Sequence, residues 1–334
     1  MLFVIPMILG LTSGKLTRAL YFYSSERPLI IAHRGACGYF PEHTLQAYEL
    51  AEQMGADFIE PDLVPTRDHQ LLVNHEGQLS ETTNISELPN FSHLQTTKTV
   101  SSNIGLATEI GWFSEDLYLH EIKELRARQR LHSRIQAFNN LFPKVTLVEV
   151  LDWAIKINEK RILTNNTLLG VYIELKTPAY YNSLGFKVED LLLKTLRDKE
   201  IDTIKKASQN CPIILQSFEI ESLKYLGEHT DLPLVYLFET GFAKLNVSEY
   251  QNIVNGIGPE MNLVFNFNGD PTELVNEAHS NNLCIHPFVV REDKQVYSWS
   301  RKQTYENVLK AKMDGIFDEF PNLARTYFSI NNKK

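Results

Sequence analysis

The fold of this chain is decided by residues 30–62, which read IIAHRGACGYFPEHTLQAYELAEQMGADFIEPD. Two short apolar runs stand near the ends of this stretch, and each leads into ionisable residues. Short runs of this kind are typical of buried parallel strands. Between them, apolar residues recur every three positions, which predicts an amphipathic helix over 44–55 with Thr44 as its N-cap. The stretch therefore predicts one strand–helix–strand unit of a parallel sheet.

The same alternation continues along the chain. Short runs rich in Ile, Val, Leu or aromatic residues predict strands over 28–33, 57–62, 71–75, 170–175, 212–216, 233–237, 283–289 and 315–317. Helical patterns lie between them, over 44–55, 146–159, 190–199, 219–227, 272–281 and 304–313. Eight strands that alternate with helices predict an α/β protein with a closed (β/α)8 barrel, the TIM barrel. A doubly wound open sheet is the main competitor.

A polar segment over about 76–145, rich in Thr, Ser and Asn and then in charged residues, interrupts this alternation. We interpret it as an insertion after the third strand. The chain has 334 residues and is 43% hydrophobic, which suffices for a large core. Because barrels of about 250 residues often fold as one unit, we expect a single domain over 25–334.

The N-terminal residues 1–24 form a candidate leader segment. Residues 2–11 are apolar apart from Gly10, and Lys15 and Arg18 follow them. An apolar run of this length is typical of a signal peptide and is too short to span a membrane. We therefore expect an exported protein, periplasmic or secreted, and a cytoplasmic location is the alternative. No other stretch predicts a membrane span, so none is expected in the mature chain.

The net charge of −8, without any block of Lys or Arg, argues against a nucleic-acid partner. An acidic protein repels phosphodiester polymers, so a phosphate-bearing substrate is expected to be small and to meet a specific local site. Cys37, Cys211 and Cys284 are too few for a disulfide framework. Whether two of them pair is left open, as is the oligomeric state.

Ionisable residues stand at the C-terminal ends of four predicted strands, which is where barrel enzymes carry their catalytic groups. They are His33 and Arg34 after the first strand, Glu60 and Asp62 at the second, His75 at the third, and Glu174 and Lys176 at the fourth. Because the strands are expected to run parallel, these ends should meet at one mouth of the barrel.

The acidic residues of this set suggest a metal site. Glu60 and Asp62 are two positions apart and face the same side of a strand, where carboxylates repel each other unless a cation lies between them. Glu174 adds a third carboxylate. Oxygen ligands of this kind suit Mg²⁺, Ca²⁺ or Mn²⁺ better than Zn²⁺. The alternative without a metal is a set of ion pairs with Arg34 and Lys176.

The basic residues of the set suit phosphate chemistry. Arg34 can bind a phosphate through two N–H groups, and Lys176 adds a point charge for the same anion or neutralises the carboxylates. His33 and His75 titrate near neutral pH, so one can act as a base and the other as an acid. A single histidine at a strand end is more often structural, and the hypothesis therefore depends on the whole set and its order.

Over about residues 27–325 the chain resembles the glycerophosphodiester phosphodiesterase family. The resemblance is carried by HRGACGYFPEHT (33–44), GADFIEPDLV (55–64), TRD (66–68), HE (75–76), WFSEDL (112–117), YIELK (172–176), QSF (216–218), HPF (286–288) and DGIF (314–317). In detail the chain looks most like the exported bacterial branch, which acts on water-soluble glycerophosphodiesters.

This resemblance implies a barrel with one divalent cation, Ca²⁺ or Mg²⁺, with Mn²⁺ as a further option. By motif it implies Glu60, Asp62 and Glu174 as metal ligands, His33 and His75 as the acid/base pair, and Arg34 and Lys176 as phosphate contacts. Gln216 and His286 end later strands and are predicted to line the substrate pocket. The implied reaction releases sn-glycerol 3-phosphate and an alcohol from substrates such as glycerophosphocholine or glycerophosphoethanolamine. The glycerol 2-hydroxyl would be the internal nucleophile, which proximity favours.

Two positions depart from the family pattern. His75-Glu76 stands where many members read His-Asp, and Asp318-Glu319-Phe320-Pro321 stands where relatives commonly read Thr-Asp-Phe-Pro. Two other functions remain open. One is a phospholipase D-like or phosphatidylinositol-cleaving enzyme acting on membrane lipids, for which residues 110–113 would form an apolar tip. The other is a non-catalytic binder of phospholipid headgroups, which the complete set of site residues disfavours.

Overall fold

The computed structural model describes residues 27–102, 105–240, 246–294 and 296–331, so the predicted leader over 1–24 lies outside the described residues and export stays a prediction. The strands are β1 Leu29–His33, β2 Phe58–Glu60, β3 Asp62–Pro65, β4 Leu71–Val73, β5 Thr96–Ser102, β6 Gly105–Gly111, β7 Gly170–Leu175, β8 Ile213–Ser217, β9 Leu234–Phe238, β10 Gly256–Pro259, β11 Cys284–Ile285 and β12 Gly315–Asp318. The α-helices are α1 Leu45–Gln53, α2 Leu119–Ile122, α3 Leu147–Leu163, α4 Pro178–Ser183, α5 Val188–Asp198, α6 Ile204–Asn210, α7 Ile220–His229, α8 Met261–Val264, α9 Glu273–Ser280, α10 Arg301–Lys310 and α11 Pro321–Asn331. Short 3-10 helices cover Ile85–Glu87, Pro89–Leu94, Ser114–Asp116, Val247–Glu249 and Val296–Ser298.

Eight of these strands form a parallel barrel in the spatial order β11-β10-β9-β8-β7-β2-β1-β12. β1 pairs with β2 and with β12, so the first and last strands are neighbours. The segment after β11 closes the remaining gap: Val290 N donates to Phe317 O at 2.8 Å, and Phe317 N donates to Pro287 O at 3.1 Å. The barrel is thus nearly closed, which confirms the predicted (β/α)8 fold and excludes an open doubly wound sheet.

The predicted third strand, 71–75, is wrong as a barrel strand. β4 pairs antiparallel with β3, with Leu63 opposite Val73, and the two form a hairpin beyond the end of β2. Thr66 closes the reversal, because its backbone N–H donates to the Gln70 carbonyl at 2.9 Å and its hydroxyl accepts from Gln70 N at 3.0 Å. Because a Thr side chain closes this turn, no Gly or Pro is needed there, and the apolar run over 71–75 gives no indication that it pairs antiparallel with the strand before it.

The eighth barrel strand is instead β10, which the sequence did not indicate. Its residues read Gly-Ile-Gly-Pro, and Gly and Pro are depleted in strands. Packing against both neighbouring strands requires the glycines: a Cβ at Gly256 would lie 2.1 Å from the Cys284 sulfur, and one at Gly258 would lie 2.4 Å from Leu237. Because β10 packs so closely that it needs glycines, its sequence lacks the run of large apolar residues that predicted the other strands.

The barrel is packed below its mouth. Its interior holds a cluster of buried side chains, namely Leu29, Ile31, Phe58, Tyr172, Ile214, Val235, Leu237, Cys284 and Phe317. The rings of Tyr172 and Phe317 meet edge to face with centroids 5.2 Å apart. A second and larger core cluster includes residues of the strands and of the surrounding helices. The filled interior leaves room for a ligand at the C-terminal ends of the strands.

Two helices begin at the predicted caps. Thr44 accepts a hydrogen bond from Ala47 N at 3.2 Å at the start of α1. Thr146 and Glu149 form a capping box at the start of α3. Each satisfies backbone N–H groups that a helix start leaves without partners. The end of β1 is thereby joined to the start of β2 by a helix with a defined first turn, and this turn sets the position of the loop between β1 and α1.

The polar segment between β4 and α3 packs against the barrel. Phe91 and Trp112 of this segment are buried in the same core cluster as the barrel strands. Gln129 donates from Nε2 to the carbonyl of Cys37 at 3.0 Å, in the loop after β1. We keep the single domain over 25–334, with an insertion over about 76–145, as a proposal.

Within the described ranges, no helix combines the length and apolar character needed to cross a bilayer.

The three cysteines, Cys37, Cys211 and Cys284, are buried and form no disulfide bond. Burial raises the pKa of each thiol, so all three are neutral and unreactive near pH 7.

Asn158 fixes the start of β7 and provides a test of the fold. Its Nδ2 donates to the carbonyl of Leu169 at 2.9 Å, and its Oδ1 accepts from Leu169 N at 2.8 Å. Asn158→Ala leaves both buried backbone groups without partners, so we expect a loss of about 2 kcal/mol in the free energy of unfolding, measured by urea denaturation. Glu159→Ala, at an exposed neighbouring position, should change it by less than about 0.5 kcal/mol. Equal stability of the two variants would contradict this role.

Candidate active site

A cavity of about 320 Å³ opens at the C-terminal ends of the barrel strands. The predicted site residues that line it are His33, Arg34, Glu60, His75, Glu174, Lys176 and Gln216. Phe218, Phe288 and Phe317 form apolar parts of its wall. Although β4 runs antiparallel to β3, it returns the chain to the mouth, and His75 reaches the same cavity as the residues of β1, β2 and β7.

Pairing between strands brings the three acidic side chains together. Pro61 separates β2 from β3, and β7 pairs with both, so that Asp62 lies directly opposite Glu174. Oxygen atoms of Glu60, Asp62 and Glu174 all lie within 4.8 Å of one another. All three side chains are buried. The predicted ligand residues thus form one compact carboxylate cluster.

Burial and mutual repulsion disfavour three negative charges in this cluster. Burial, followed by the nearby Asp62 carboxylate, raises the pKa of Glu60 well above its usual value, and burial raises the pKa of Glu174 to about 8. Asp62 differs: burial opposes its ionisation, but Lys176, His75 and His43 hold its pKa below the usual range. A cation among these oxygens would offset the repulsion and keep all three carboxylates ionised.

The donor set fits a hard divalent cation. Carboxylate oxygens are the ligands that Mg²⁺, Ca²⁺ and Mn²⁺ prefer. Among the described residues, no hydrogen-bond partner meets the buried acceptors Asp62 Oδ1 and Gln216 Oε1, which is costly for a folded protein unless another group meets them. Gln216 is held at the cluster because its Nε2 donates to Glu60 Oε1 at 3.0 Å.

His43 holds the Asp62 carboxylate from behind. Its Nε2 lies 2.9 Å from Asp62 Oδ2, and its Nδ1 lies 2.8 Å from the Tyr48 hydroxyl. Burial lowers the pKa of His43 to about 4, so the ring is neutral, donates from Nε2 and accepts from Tyr48. This role of His43 was not predicted, and the one feature of the sequence that points to it is the position of His43 in the motif over 33–44.

Arg34 is fixed by a tight turn and by two acidic side chains. Gly35 has φ +85°, and a Cβ there would lie 2.8 Å from the backbone of Ala47, so the loop can approach α1 at glycine alone. The backbone N–H of Arg34 donates to Glu60 Oε2 at 2.9 Å. Its guanidinium donates to Glu42 Oε1 at 3.0 Å. Glu42 therefore holds the arginine that faces the cavity.

Lys176 links the carboxylates to one histidine. Its Nζ lies 2.8 Å from Glu174 Oε1 and 3.1 Å from His75 Nε2. Burial opposes its charge, but Glu174 and Asp62 raise its pKa above the usual value. The ammonium is therefore charged at neutral pH, and it adds positive potential beside the cavity.

Both predicted acid/base histidines have a carboxylate at Nδ1. His33 Nδ1 lies 3.0 Å from Glu319 Oε1, and His75 Nδ1 lies 2.5 Å from Glu76 Oε1. Burial, followed by the Arg34 cation, lowers the pKa of His33 to about 4. Burial, Arg34 and Lys176 also lower the pKa of His75. Near pH 7 both rings are neutral, donate from Nδ1 and present Nε2 as an acceptor.

The structure does not bring His286 to the cavity, although the sequence suggested a substrate contact. His286 is fully buried, and its Nδ1 lies 3.1 Å from the Tyr172 hydroxyl inside the barrel. Its ring packs over Gly315, where a Cβ would lie 2.8 Å from it. The strand predicted over 283–289 is shorter in the structure, Cys284–Ile285, and the buried side chain of His286 lies below the mouth because successive positions along the chain alternate in direction.

Comparison with known proteins identifies the family. Residues 33–323 match the model of the glycerophosphoryl diester phosphodiesterase family. A glycerophosphodiester phosphodiesterase of Arabidopsis thaliana is 30% identical and the match covers 92% of this chain and 88% of that protein. A glycerophosphodiester phosphodiesterase of Bacillus subtilis is 28% identical, with 90% and 86% covered. The structure of an Oleispira antarctica phosphodiesterase, solved with its product sn-glycerol 3-phosphate, shares the fold with a TM-score of 0.63 at 17% identity, with 93% and 99% covered.

Proposed function

The chain belongs to the glycerophosphoryl diester phosphodiesterase family and is an enzyme that hydrolyses phosphodiesters, and we propose that its substrates are small, soluble glycerophosphodiesters. Glycerophosphocholine and glycerophosphoethanolamine represent this class, and the products are sn-glycerol 3-phosphate and an alcohol. The observation that carries the proposal is one cavity of about 320 Å³ lined by two neutral imidazoles, an arginine, a lysine and the carboxylates of Glu60 and Glu174, with Asp62 in the same carboxylate cluster. The product bound by the Oleispira antarctica relative supports the choice of substrate.

We assign the divalent cation of this family to Glu60, Asp62 and Glu174, with Ca²⁺ or Mg²⁺ as the expected ion and Mn²⁺ as a further option. Bound by these three carboxylates, such an ion would polarise a phosphoryl oxygen and hold a substrate hydroxyl. The support comes from the buried carboxylate cluster, from the raised pKa values of Glu60 and Glu174, and from Asp62 Oδ1, a buried acceptor that no donor meets in the described part of the chain.

We assign the remaining steps to groups of this chain. Arg34 and Lys176 bind the phosphate through charge-assisted N–H groups. One histidine of the pair His33 and His75 accepts the proton of the glycerol 2-hydroxyl at Nε2 as that oxygen forms a bond to phosphorus. The other histidine takes a proton from solvent at Nε2 and gives it to the alcohol oxygen whose bond to phosphorus breaks. In the second step this histidine, now neutral, accepts a proton from the water that attacks phosphorus. The first histidine returns its proton to the glycerol 2-oxygen as the bond from that oxygen to phosphorus breaks, which leaves sn-glycerol 3-phosphate. Gln216 orients Glu60 beside the substrate.

The membrane-lipid alternative receives little support from the predicted apolar tip. Of residues 110–113, Trp112 and Phe113 are 6% and 1% exposed, so they belong to the core and cannot enter a bilayer. Ile110 and Leu106 of the hairpin β5–β6 are exposed, but two aliphatic side chains bind a bilayer weakly. We therefore favour soluble diesters over membrane lipids and over a headgroup-binding role without catalysis.

The proposal is tested by the release of sn-glycerol 3-phosphate from glycerophosphocholine, with and without EDTA. We expect release that EDTA abolishes and that Ca²⁺ or Mg²⁺ restores, because removal of the ion would remove the polarisation of the phosphoryl oxygen. Vesicles containing phosphatidylinositol serve as the comparison substrate and should be hydrolysed at least about tenfold more slowly, a difference of about 1.4 kcal/mol in the barrier. Folded protein that acts on the vesicles and not on glycerophosphocholine would refute the soluble-substrate proposal.

A further inference from the structure

Glu319 follows β12 and lies directly behind His33 at the mouth of the barrel. Its side chain is 3% exposed, and its Oε1 is 3.0 Å from His33 Nδ1. The two residues are 286 positions apart and are neighbours because β1 pairs with β12. A buried carboxylate accepts hydrogen bonds and does not donate them, so the His33 proton is on Nδ1. The cavity-facing Nε2 is thereby left as the acceptor.

Two arginines hold Glu319 on its other sides. Arg291 Nε donates to Glu319 Oε1 at 3.0 Å, and Arg134 Nη2 donates to Oε2 in a short contact. Burial opposes ionisation, but the hydrogen bond from His33 and the charges of both arginines hold the pKa of Glu319 well below its usual range. The group behind His33 is thus an ionised carboxylate fixed by donors on both oxygens.

Arg134 belongs to the insertion and ties it to three loops of the barrel. Its Nε and Nη2 donate to the two carboxylate oxygens of Asp293 at 2.7 and 3.0 Å, and its Nη1 donates to the carbonyl of Cys37 at 3.1 Å. A planar guanidinium that meets this many acceptors has one available orientation. Arg134 therefore connects the loop after β1, the loop after β11 and the end of β12 at the point where Glu319 meets His33.

We propose that Glu319 is a positioning residue for His33, and that the insertion supports it through Arg134. This rests on the proposed function, in which His33 exchanges a proton with the substrate. The carboxylate keeps the imidazole in the tautomer whose Nε2 faces the cavity, 3.3 Å from Arg34 Nε. It also stabilises the imidazolium that forms when Nε2 takes a proton. The insertion is thereby part of the active site without contacting the substrate.

The other histidine has a weaker partner of the same kind. The side chain of Glu76 is 55% exposed, whereas that of Glu319 is 3% exposed. Water and salt screen an exposed carboxylate, so Glu76 orients His75 less strongly than Glu319 orients His33. Removing the charge should therefore matter more at position 319 than at position 76.

The test compares Glu319→Gln with the control Glu292→Gln. Glutamine keeps the size of the side chain but loses the charge that the arginines and His33 meet. We expect kcat for glycerophosphocholine to fall about 10- to 100-fold with KM within about twofold, as for other groups that orient a reacting side chain. Glu292 is 42% exposed and pairs with Arg301 at the surface, so its variant should stay within about twofold. Glu319→Asp, which keeps the charge, should recover part of the loss.

A double variant separates positioning from stability. In a His33→Gln background, Glu319→Gln should change kcat by less than about twofold, because its effect acts through His33. A loss of 10- to 100-fold in that background as well would overturn the proposal, since a general loss of structure acts with or without His33. A kcat for the single variant Glu319→Gln equal to that of Glu292→Gln would overturn it too.

Proton NMR of the full chain tests the contact without substrate. The Nδ1–H of His33, bonded to a buried carboxylate, should give a downfield resonance that is lost in His33→Gln and moves upfield in Glu319→Gln. A resonance that Glu319→Gln leaves unchanged overturns the positioning role. A wild type that shows the shift but does not hydrolyse glycerophosphocholine refutes the proposed substrate while the contact stands.

Discussion

Asp62→Asn is expected to lower kcat/KM by about a thousandfold, or ~4 kcal/mol of transition-state stabilisation. His43 holds Asp62 Oδ2 at 2.9 Å, which leaves Oδ1 as a buried acceptor among the carboxylates. Asparagine has the same shape, but it removes one negative charge and can turn N–H groups toward a cation. The cluster would therefore lose attraction for a divalent ion while the fold around it stays the same.

The measurement is isothermal titration with Ca²⁺ and with Mg²⁺, followed by steady-state release of sn-glycerol 3-phosphate. We expect metal affinity to fall at least about tenfold in Asp62→Asn, since metal-site substitutions typically cost 10- to 100-fold. Asp198→Asn is the control, because Asp198 is 58% exposed and pairs with Lys194 on α5. Unchanged metal affinity in Asp62→Asn would show that the carboxylate cluster does not hold the ion.

His33→Gln is expected to lower kcat by about 10³-fold with metal affinity within about threefold of wild type. The neutral ring presents Nε2 to the cavity, where it accepts a hydrogen bond from Arg34 Nε at 3.3 Å, and burial together with Arg34 keeps the pKa of His33 at about 4, so Nε2 carries no proton at pH 7 and can take one from the substrate. Glutamine retains polarity and size but cannot take up a proton. His279→Gln, on the outer helix α9, is the control and should retain wild-type kcat.

Comparison of His33→Gln with His75→Gln assigns the two proton transfers. In a substrate that carries p-nitrophenol as the alcohol, the leaving group departs as p-nitrophenolate and needs no proton, because this phenolate is a weak base. The variant of the residue that protonates the alcohol should therefore regain activity with this substrate, and the variant of the base should not. Full activity of either variant with glycerophosphocholine would remove that histidine from the proposed mechanism.

The sequence by itself determined the fold class and most of the residues that meet at the mouth. Thr44 caps α1 as predicted, and the apolar runs before His33 and Glu174 form β1 and β7. These features are local, since capping and strand formation depend on neighbours within a few positions. Parallel strands share one direction, so polar residues at several strand ends must meet at one face. The shared direction of the strands therefore suffices to predict that the carboxylates and histidines lie at one site.

Only the tertiary structure decided which side chains support those residues. Glu319 reaches His33 across 286 positions, and Arg134 of the insertion reaches Glu319 across 185. Neither β10 nor the inward position of His286 was predicted. The close packing of β10 requires glycines, which removes the apolar run by which a strand is predicted, and the predicted strand over 283–289 did not show which of its side chains point into the barrel. Such contacts arise when the barrel closes and the insertion packs against it. Local patterns carry no information about which loop becomes the neighbour of another, and that choice is made by packing over the whole domain.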